Sequence, residues 1–219
     1  MGITPLLDRM GLRRIVDDRT LLRRGAVFEF YVNMKMGIRD DELITTFRGD
    51  RIRWDAYDIN VMFGVPTIGG IFMKEHVTRF TRERYQRAIV GVPHGPWEVQ
   101  EKLRTGQLGV QAKMVFYIVI HCILPRVDSN KFINPQEEYV MGRIMLGEPI
   151  NFGHMMIRRM RAVVLEPRTY LPFGRIVCNM LLRKGYDLEN FSCESQKQWK
   201  IIGDRQFGQA FFEKQIVNG

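Results

Sequence analysis

The chain is expected to fold as a mainly α, compact multi-helix domain gathered around one buried central helix, with one short β-hairpin. Three observations predict this class. Residues 111–124 are apolar on nearly every side after Lys113, as a helix covered by neighbours all round must be. Helix start signals recur along the chain, the clearest being Asn134 before Pro135, with Glu137 and Glu138 in the first turn. β-Branched and aromatic residues cluster around a tight-turn signal at one place only, Leu43 to Trp54 around Gly49-Asp50.

Taken in order, residues 1–24 carry Arg13-Arg14, Asp17-Asp18 and Arg23-Arg24 among few large apolar residues, and read as a partly ordered N-terminal arm or short helix. The remainder, 25–219, reads as a single helical domain. From Gly25 the spacing of Val27, Phe28, Phe30, Tyr31 and Met34 predicts a helix with an aromatic buried face, stopped near Gly37. After the hairpin, Asp55 is placed to cap a helix over 56–63, with Asp58 in its first turn and Gly64 and Pro66 ending it.

Thr81 is the expected cap of a helix running to Val90, and Trp97–Leu103 the expected resumption after the break at Gly91–Pro96. The central helix should end at Pro125. Three more follow: Pro135 to Leu146, Phe152 to about Leu165 opened by Asn151, and Pro172 to Lys184. Trp199, Ile201, Ile202, Phe207, Phe211 and Phe212 make the last stretch too apolar for a free tail, so it is expected to dock on the body.

Composition narrows the function classes. A chain of 219 residues can bury about 72% of its unfolded surface, so its core needs neither disulfide nor metal. Hydrophobic residues make up 45% of it, which excludes a disordered class. The net charge of +9 favours acidic partners, although the excess is spread almost evenly over the two halves. One local exception lies in 154–186, where Arg158, Arg159, Arg161, Arg168, Arg175, Arg183 and Lys184 face only Glu166. These seven are the candidate nucleic-acid or anion-binding residues.

The three cysteines, Cys122, Cys178 and Cys193, are odd in number and widely spaced, which fits a reducing intracellular compartment, nuclear or cytoplasmic. The longest apolar run, Met114 to Leu124, is well short of the roughly 20 residues a membrane helix needs. No membrane association is expected.

Catalytic signals are weak. Asp50, Asp55 and Asp58 are the one close carboxylate trio near a strand, and each has an ordinary role as turn, cap or first-turn residue. His76, His94, His121 and His154 lie far apart, with no Cys-x-x-Cys spacing to suggest zinc. Adjacent His121 and Cys122 would point about 100° apart on a helix and cannot share a proton there. Gly64 to Gly70 is glycine-rich but lacks the lysine and following helix of a phosphate loop. No catalytic residue, metal site or cofactor is assigned.

Six phrases in order carry a resemblance: Ala-Val-Phe-Glu-Phe-Tyr-Val-Asn-Met at 26–34, Phe-Arg-Gly-Asp-Arg-Ile at 47–52, and Asp-Ile-Asn-Val-Met-Phe-Gly-Val-Pro at 58–66 come first. The block 111–125 ending in Leu124-Pro125, Gly147 to Gly153, and Leu171-Pro172-Phe173 leading into Leu181 to Tyr186 complete the set. Over roughly 26–190 the chain resembles the plant transposon protein domain family of retroelement-derived reading frames. Ile52 to Gly70 is also similar to the plant mobile domain. The chain departs from typical members in lacking a long polar C-terminal extension, and in having Phe152 where a small aliphatic residue is usual. The resemblance implies a mobile-element origin and transfers no catalytic residue.

The expected function is therefore a non-catalytic recognition module that binds a protein partner, or nucleic acid, through the basic surface at 154–186. Protein partners come first because the basic excess is diffuse. The alternative is a nucleic-acid-processing enzyme retaining metal-dependent transposase or nuclease chemistry, which would need several carboxylates around divalent ions.

Overall fold

A computed structural model describes residues 3–37, 39–72, 78–92, 97–126, 131–165 and 171–191. Among the described residues there are nine α-helices and one small sheet: α1 (Ile3–Arg9), α2 (Arg13–Val16), α3 (Arg24–Val32), α4 (Ala56–Phe63), α5 (Arg79–Val90), α6 (Val110–Ile118), α7 (Pro135–Leu146), α8 (Phe152–Leu165) and α9 (Gly174–Arg183), with β1 (Lys35–Met36), β2 (Glu42–Phe47) and β3 (Asp50–Asp55). The mainly α class with a short hairpin is the observed one.

The hairpin β2–β3 closes through Arg48 and Gly49, both at positive φ, 51° and 87°. Two successive left-handed residues give the turn whose twist matches that of paired strands. A two-residue β1 adds to the other side of β2, making an antiparallel sheet in the order β1-β2-β3. Its period-2 pattern is clean: Leu43, Thr45, Phe47, Ile52 and Trp54 face the core, while Ile44, Thr46, Arg51 and Arg53 face outward.

Asp55 caps α4 as its position predicts. Its side chain accepts from Asp58 N at 2.9 Å, and Asp58 returns the bond to Asp55 N at 3.3 Å, a reciprocal capping box. Asn134 does the same for α7 with Glu137, at 2.9 and 3.0 Å, with Pro135 at the first helical position.

The helices gather into one core that includes Phe30, Trp54, Phe63, Phe116, Phe152 and Met160. α6 continues as a π-helical turn over Val119–Ile123, and its Ala112, Val115, Phe116, Ile118, Val119, Ile120 and Ile123 are buried. Met114, Tyr117, His121 and Cys122 on the same stretch keep part of their surface accessible. α5 packs on α7 and α4 on α8, and both contacts rely on a missing side chain. A Cβ on Gly142 would lie 2.4 Å from Tyr85 Cβ, and one on Gly153 would lie 2.3 Å from the Ala56 carbonyl oxygen.

Four local expectations need correction. The cap of α5 is Thr78, which accepts from Thr81 N at 3.1 Å, so the helix starts one turn earlier than expected. Trp97–Leu103 is not helical; Trp97 Nε1 and Gln100 N are drawn to Gln86 Oε1 at 3.3 and 2.9 Å, and tertiary bonds outweigh the helical pattern. α3 ends at Val32, before Gly37, because Lys35 and Met36 pair with β2, and its Phe28 is exposed rather than core. α9 begins at Gly174, with Phe173 in the left-handed region before it, instead of at Pro172.

The segment 1–24 carries α1 and α2, and Leu7, Met10, Leu12 and Ile15 are buried in the same core as the rest. No change in packing marks the boundary expected at residue 24. The apolar stretch from Trp199 to Phe212 lies outside the described residues.

Candidate functional site

The basic segment 154–186 separates into several places. On α8, Arg158 donates to the Phe72 carbonyl at 3.0 Å, Arg159 to the Pro125 carbonyl at 3.2 Å, and Arg161 to the Arg39 carbonyl at 2.8 Å. Arg161 also pairs with Asp40 at 3.3 Å. Three neighbouring arginines thus reach three different chain segments, each through one guanidinium N–H donated to a backbone oxygen. Arg183 donates to Asn179 Oδ1 at 2.8 Å and sits 5.9 Å from the Phe63 ring centre, while Lys184 Nζ lies 5.8 Å from the Trp54 ring centre. Arg175 is exposed on α9, and Arg168 lies outside the described residues.

A second collection of cations forms on the outer face of the sheet. Lys35, Ile44 and Arg53 make one cross-strand row, and Thr46 opposite Arg51 makes the next row on the same face. Together with Asn33, Arg39 and Glu42, this face lines an open groove of about 680 Å³. Its cations differ in their pairing. Arg53 is ion-paired with the buried Glu42, and Arg39 holds Asp41 at 3.0 Å and Asp55 at 3.4 Å. Lys35, across Ile44 from Arg53, and Arg51, in the next row, are exposed and meet no carboxylate among the described residues.

Sequence reasoning missed this groove. The alternation Arg51-Ile52-Arg53-Trp54 shows two cations on one strand face, but only the pairing of β1 brings Lys35 beside them.

The groups weighed for catalysis are placed in local structure. Asp50 accepts from the Tyr186 hydroxyl at 3.2 Å, and Asp55 and Asp58 form the capping box of α4. His121 stacks on Tyr117, rings 6.2 Å apart and 11° from parallel. His154 is held below the ordinary histidine range by burial first and then by the Arg158 charge, so its imidazole is neutral at pH 7. Burial pushes the Cys122 thiol up to about 12 and raises Cys178 as well, which makes both poor nucleophiles. His76, His94 and Cys193 lie outside the described residues. Among the described residues no group of three or more His, Cys, Asp or Glu is placed to hold a metal ion. The loop ending in Gly69-Gly70 lies along Ile150, with Gly70 N donating to the Pro149 carbonyl at 2.9 Å. Its backbone braces α8's entry.

Charge pairs in the interior are structural too. Glu137, 1% exposed at its side chain, meets Arg126 at 2.9 Å. Glu138 takes Arg82 through both oxygens, at 3.0 and 3.1 Å, and Gln86 at 3.0 Å. Glu148 gathers Arg84, Arg143 and the Tyr85 hydroxyl. Among the described residues no helix is long and apolar enough to cross a membrane.

Fold and surface together define a class: a mainly helical, basic domain most of whose interior polar groups serve its own packing. Comparison with protein families then places it. The family model described as Putative plant retrotransposon-related domain matches residues 8–187, and the chain belongs to that family. Its origin is therefore in a plant transposable element. The match begins within α1 and so takes in most of segment 1–24. No curated protein and no solved structure matches the chain.

Proposed function

We propose that the domain is a non-catalytic recognition module, retained from a transposable element to bind other molecules inside the cell. The observation that carries this reading is the local engagement of the carboxylates weighed for catalysis, Asp50 by a tyrosine hydroxyl and Asp55 with Asp58 in a helix cap, while among the described residues no group of three or more His, Cys, Asp or Glu is placed to hold a metal ion. A two-metal phosphoryl-transfer site needs such carboxylates turned towards a shared ion.

Protein partners are supported by large apolar side chains left in solvent. Phe28 and Val32, one turn apart on α3, are 61% and 63% exposed, and Tyr57 and Val61 stand in the same relation on α4 at 63% and 55%. Nucleic acid is the second partner class, supported by the basic balance of the chain and by the exposed Arg158, Arg175, Arg183 and Lys184 within 154–186.

The test is a nuclease and strand-transfer assay with magnesium or manganese, run beside a thermal melt in the same ions. No cleavage and no ion-dependent stabilisation are expected. Cleavage that disappears in Asp50→Asn, or a clear upward melt shift with either ion, would overturn the reading.

A further inference from the structure

We propose that the groove on the outer face of the sheet is a binding site for single-stranded nucleic acid, gripped through its phosphates without reading base sequence. The donors suit that ligand. Lys35, Arg51, Arg53, Asn33 and Thr46 are the side-chain types that contact phosphate and sugar oxygens in nucleic-acid complexes. Two of them, Arg51 and Arg53, stand two residues apart on one strand, hence about 6.8 Å. That separation suits neighbouring phosphates of an extended strand. Lys35 shares the cross-strand row of Arg53, so the three cations describe an angle around the groove floor rather than a scatter over the surface.

What the groove lacks sharpens the choice of ligand. Among the described residues that line it there is no aromatic side chain on which bases could stack, and the one sizeable apolar side chain is Ile44. Sequence-tolerant contact through the backbone is then the available mode. An acidic peptide would ordinarily add an apolar or aromatic anchor seated in a pocket, which this face does not provide. A recess between strand rows admits a single chain more readily than the convex side of a duplex.

The acids decide where the phosphates lie. Glu42 fixes the Arg53 guanidinium, and Asp41 and Asp55 hold Arg39, so these arginines are positioned before any ligand arrives. The same carboxylates repel phosphate from their neighbourhood. The uncompensated cations, Lys35 and Arg51, with Thr46 and Asn33, are where the negative groups are received. The overall charge of +9 steers the strand towards the protein from a distance.

The experiment is fluorescence anisotropy of a labelled 12-mer of oligo-dT over a salt series, with the full chain and with a Lys35→Gln/Arg51→Gln double variant. Both residues are exposed and carry no ion pair among the described residues, so the variant is expected to melt as the parent does. Binding should weaken with salt, and the variant should lose about fivefold or more in affinity, with a slope shallower by about 0.7 for each phosphate contact removed. A Lys102→Gln/Lys113→Gln variant, which removes two exposed cations outside the groove, should bind nearly as the parent does.

Absence of binding at low salt would overturn the proposal, as would unchanged binding by the groove variant. So would displacement of the oligonucleotide by polyglutamate as effectively as by unlabelled oligonucleotide. A measurement on the unaltered chain guards against a folding defect: adding oligo-dT should move the amide resonances of Lys35, Thr46, Arg51 and Arg53. Movement confined to α8 and α9 would place the strand elsewhere. Because the nuclease assay reads catalysis and this one reads groove occupancy, either idea can fail while the other stands.

Discussion

The Asn60 side-chain amide donates to Asn151 Oδ1 at 2.8 Å, across 91 positions of sequence. Asn60 is fully buried. Its own Oδ1 accepts from Gly153 N at 2.7 Å, and Asn151 Oδ1 also accepts from His154 N at 3.0 Å. Two amides therefore satisfy two of the open N–H groups at the start of α8 and lock that helix to α4.

Replacing Asn60 with Ala strands the Gly153 amide in the interior, so a loss of about 2–3 kcal/mol in urea unfolding is expected. A change below about 0.5 kcal/mol would show that the pair does not join the helices.

Gly153→Ala should also destabilise, although alanine is the better helix former by about 1 kcal/mol. The new methyl would sit 2.3 Å from the Ala56 carbonyl oxygen, a backbone atom that cannot rotate away. A net loss of about 1–3 kcal/mol is expected from the forced helix separation. Gly106→Ala is the control, since nothing lies within 4 Å of its would-be Cβ. Equal melting temperatures for the two variants would refute the close-approach argument.

Burial should outrank distance among the ion pairs. Arg13 and Asp17 approach to 2.6 Å, but each side chain is about half exposed and screened by solvent, so Arg13→Ala should leave the unfolding midpoint almost unchanged. Arg126 and Glu137 are 2.9 Å apart with 9% and 1% exposure, and Glu137→Ala should cost about 3–5 kcal/mol because it leaves a buried guanidinium without its charge partner. Denaturant melts of the two variants decide it, and a similar loss in both would contradict the ranking.

In a Cys193→Ser chain, native protein at pH 8 should react slowly with a disulfide reagent, and two thiols should titrate quickly in urea. Cys122 keeps part of its surface accessible, so it is the low thiolate fraction that protects it. The sign of the pH effect follows. The folded thiol keeps its proton up to about 12 against an ordinary 9, so the unfolded chain ionises first. Stability contributed by Cys122 is full below pH 9 and drains away as pH rises from 9 towards 12. A Cys122→Ala variant should flatten that part of the stability curve; an unchanged slope would show that the thiol is not shielded.

The helical class and most helix positions are legible from residue types alone. Asp55, Asn134 and Asn151 mark starts because a cap acts on an amide only two or three residues away, and that is local information. The hairpin is legible because an alternating pattern and a two-residue turn are short-range too. Even the family's phrases can be read as text before their roles are known. Asn60 and Gly153 belong to two such phrases, and their shared task is helix joining.

Assignments that hinge on which distant groups meet could not be made from order alone. Arg158, Arg159 and Arg161 stand together in sequence, and only the tertiary structure shows that each donates to a carbonyl of a different segment, at residues 72, 125 and 39. Lys35 looks like an ordinary helix-end lysine until Ile44 pairs with it and sets it beside Arg53. Trp97 and Gln100 follow a helical pattern that one buried glutamine overrides. A buried polar atom must find a partner wherever the chain supplies one, and the cost of leaving it bare exceeds the few tenths of a kcal/mol that local preference contributes.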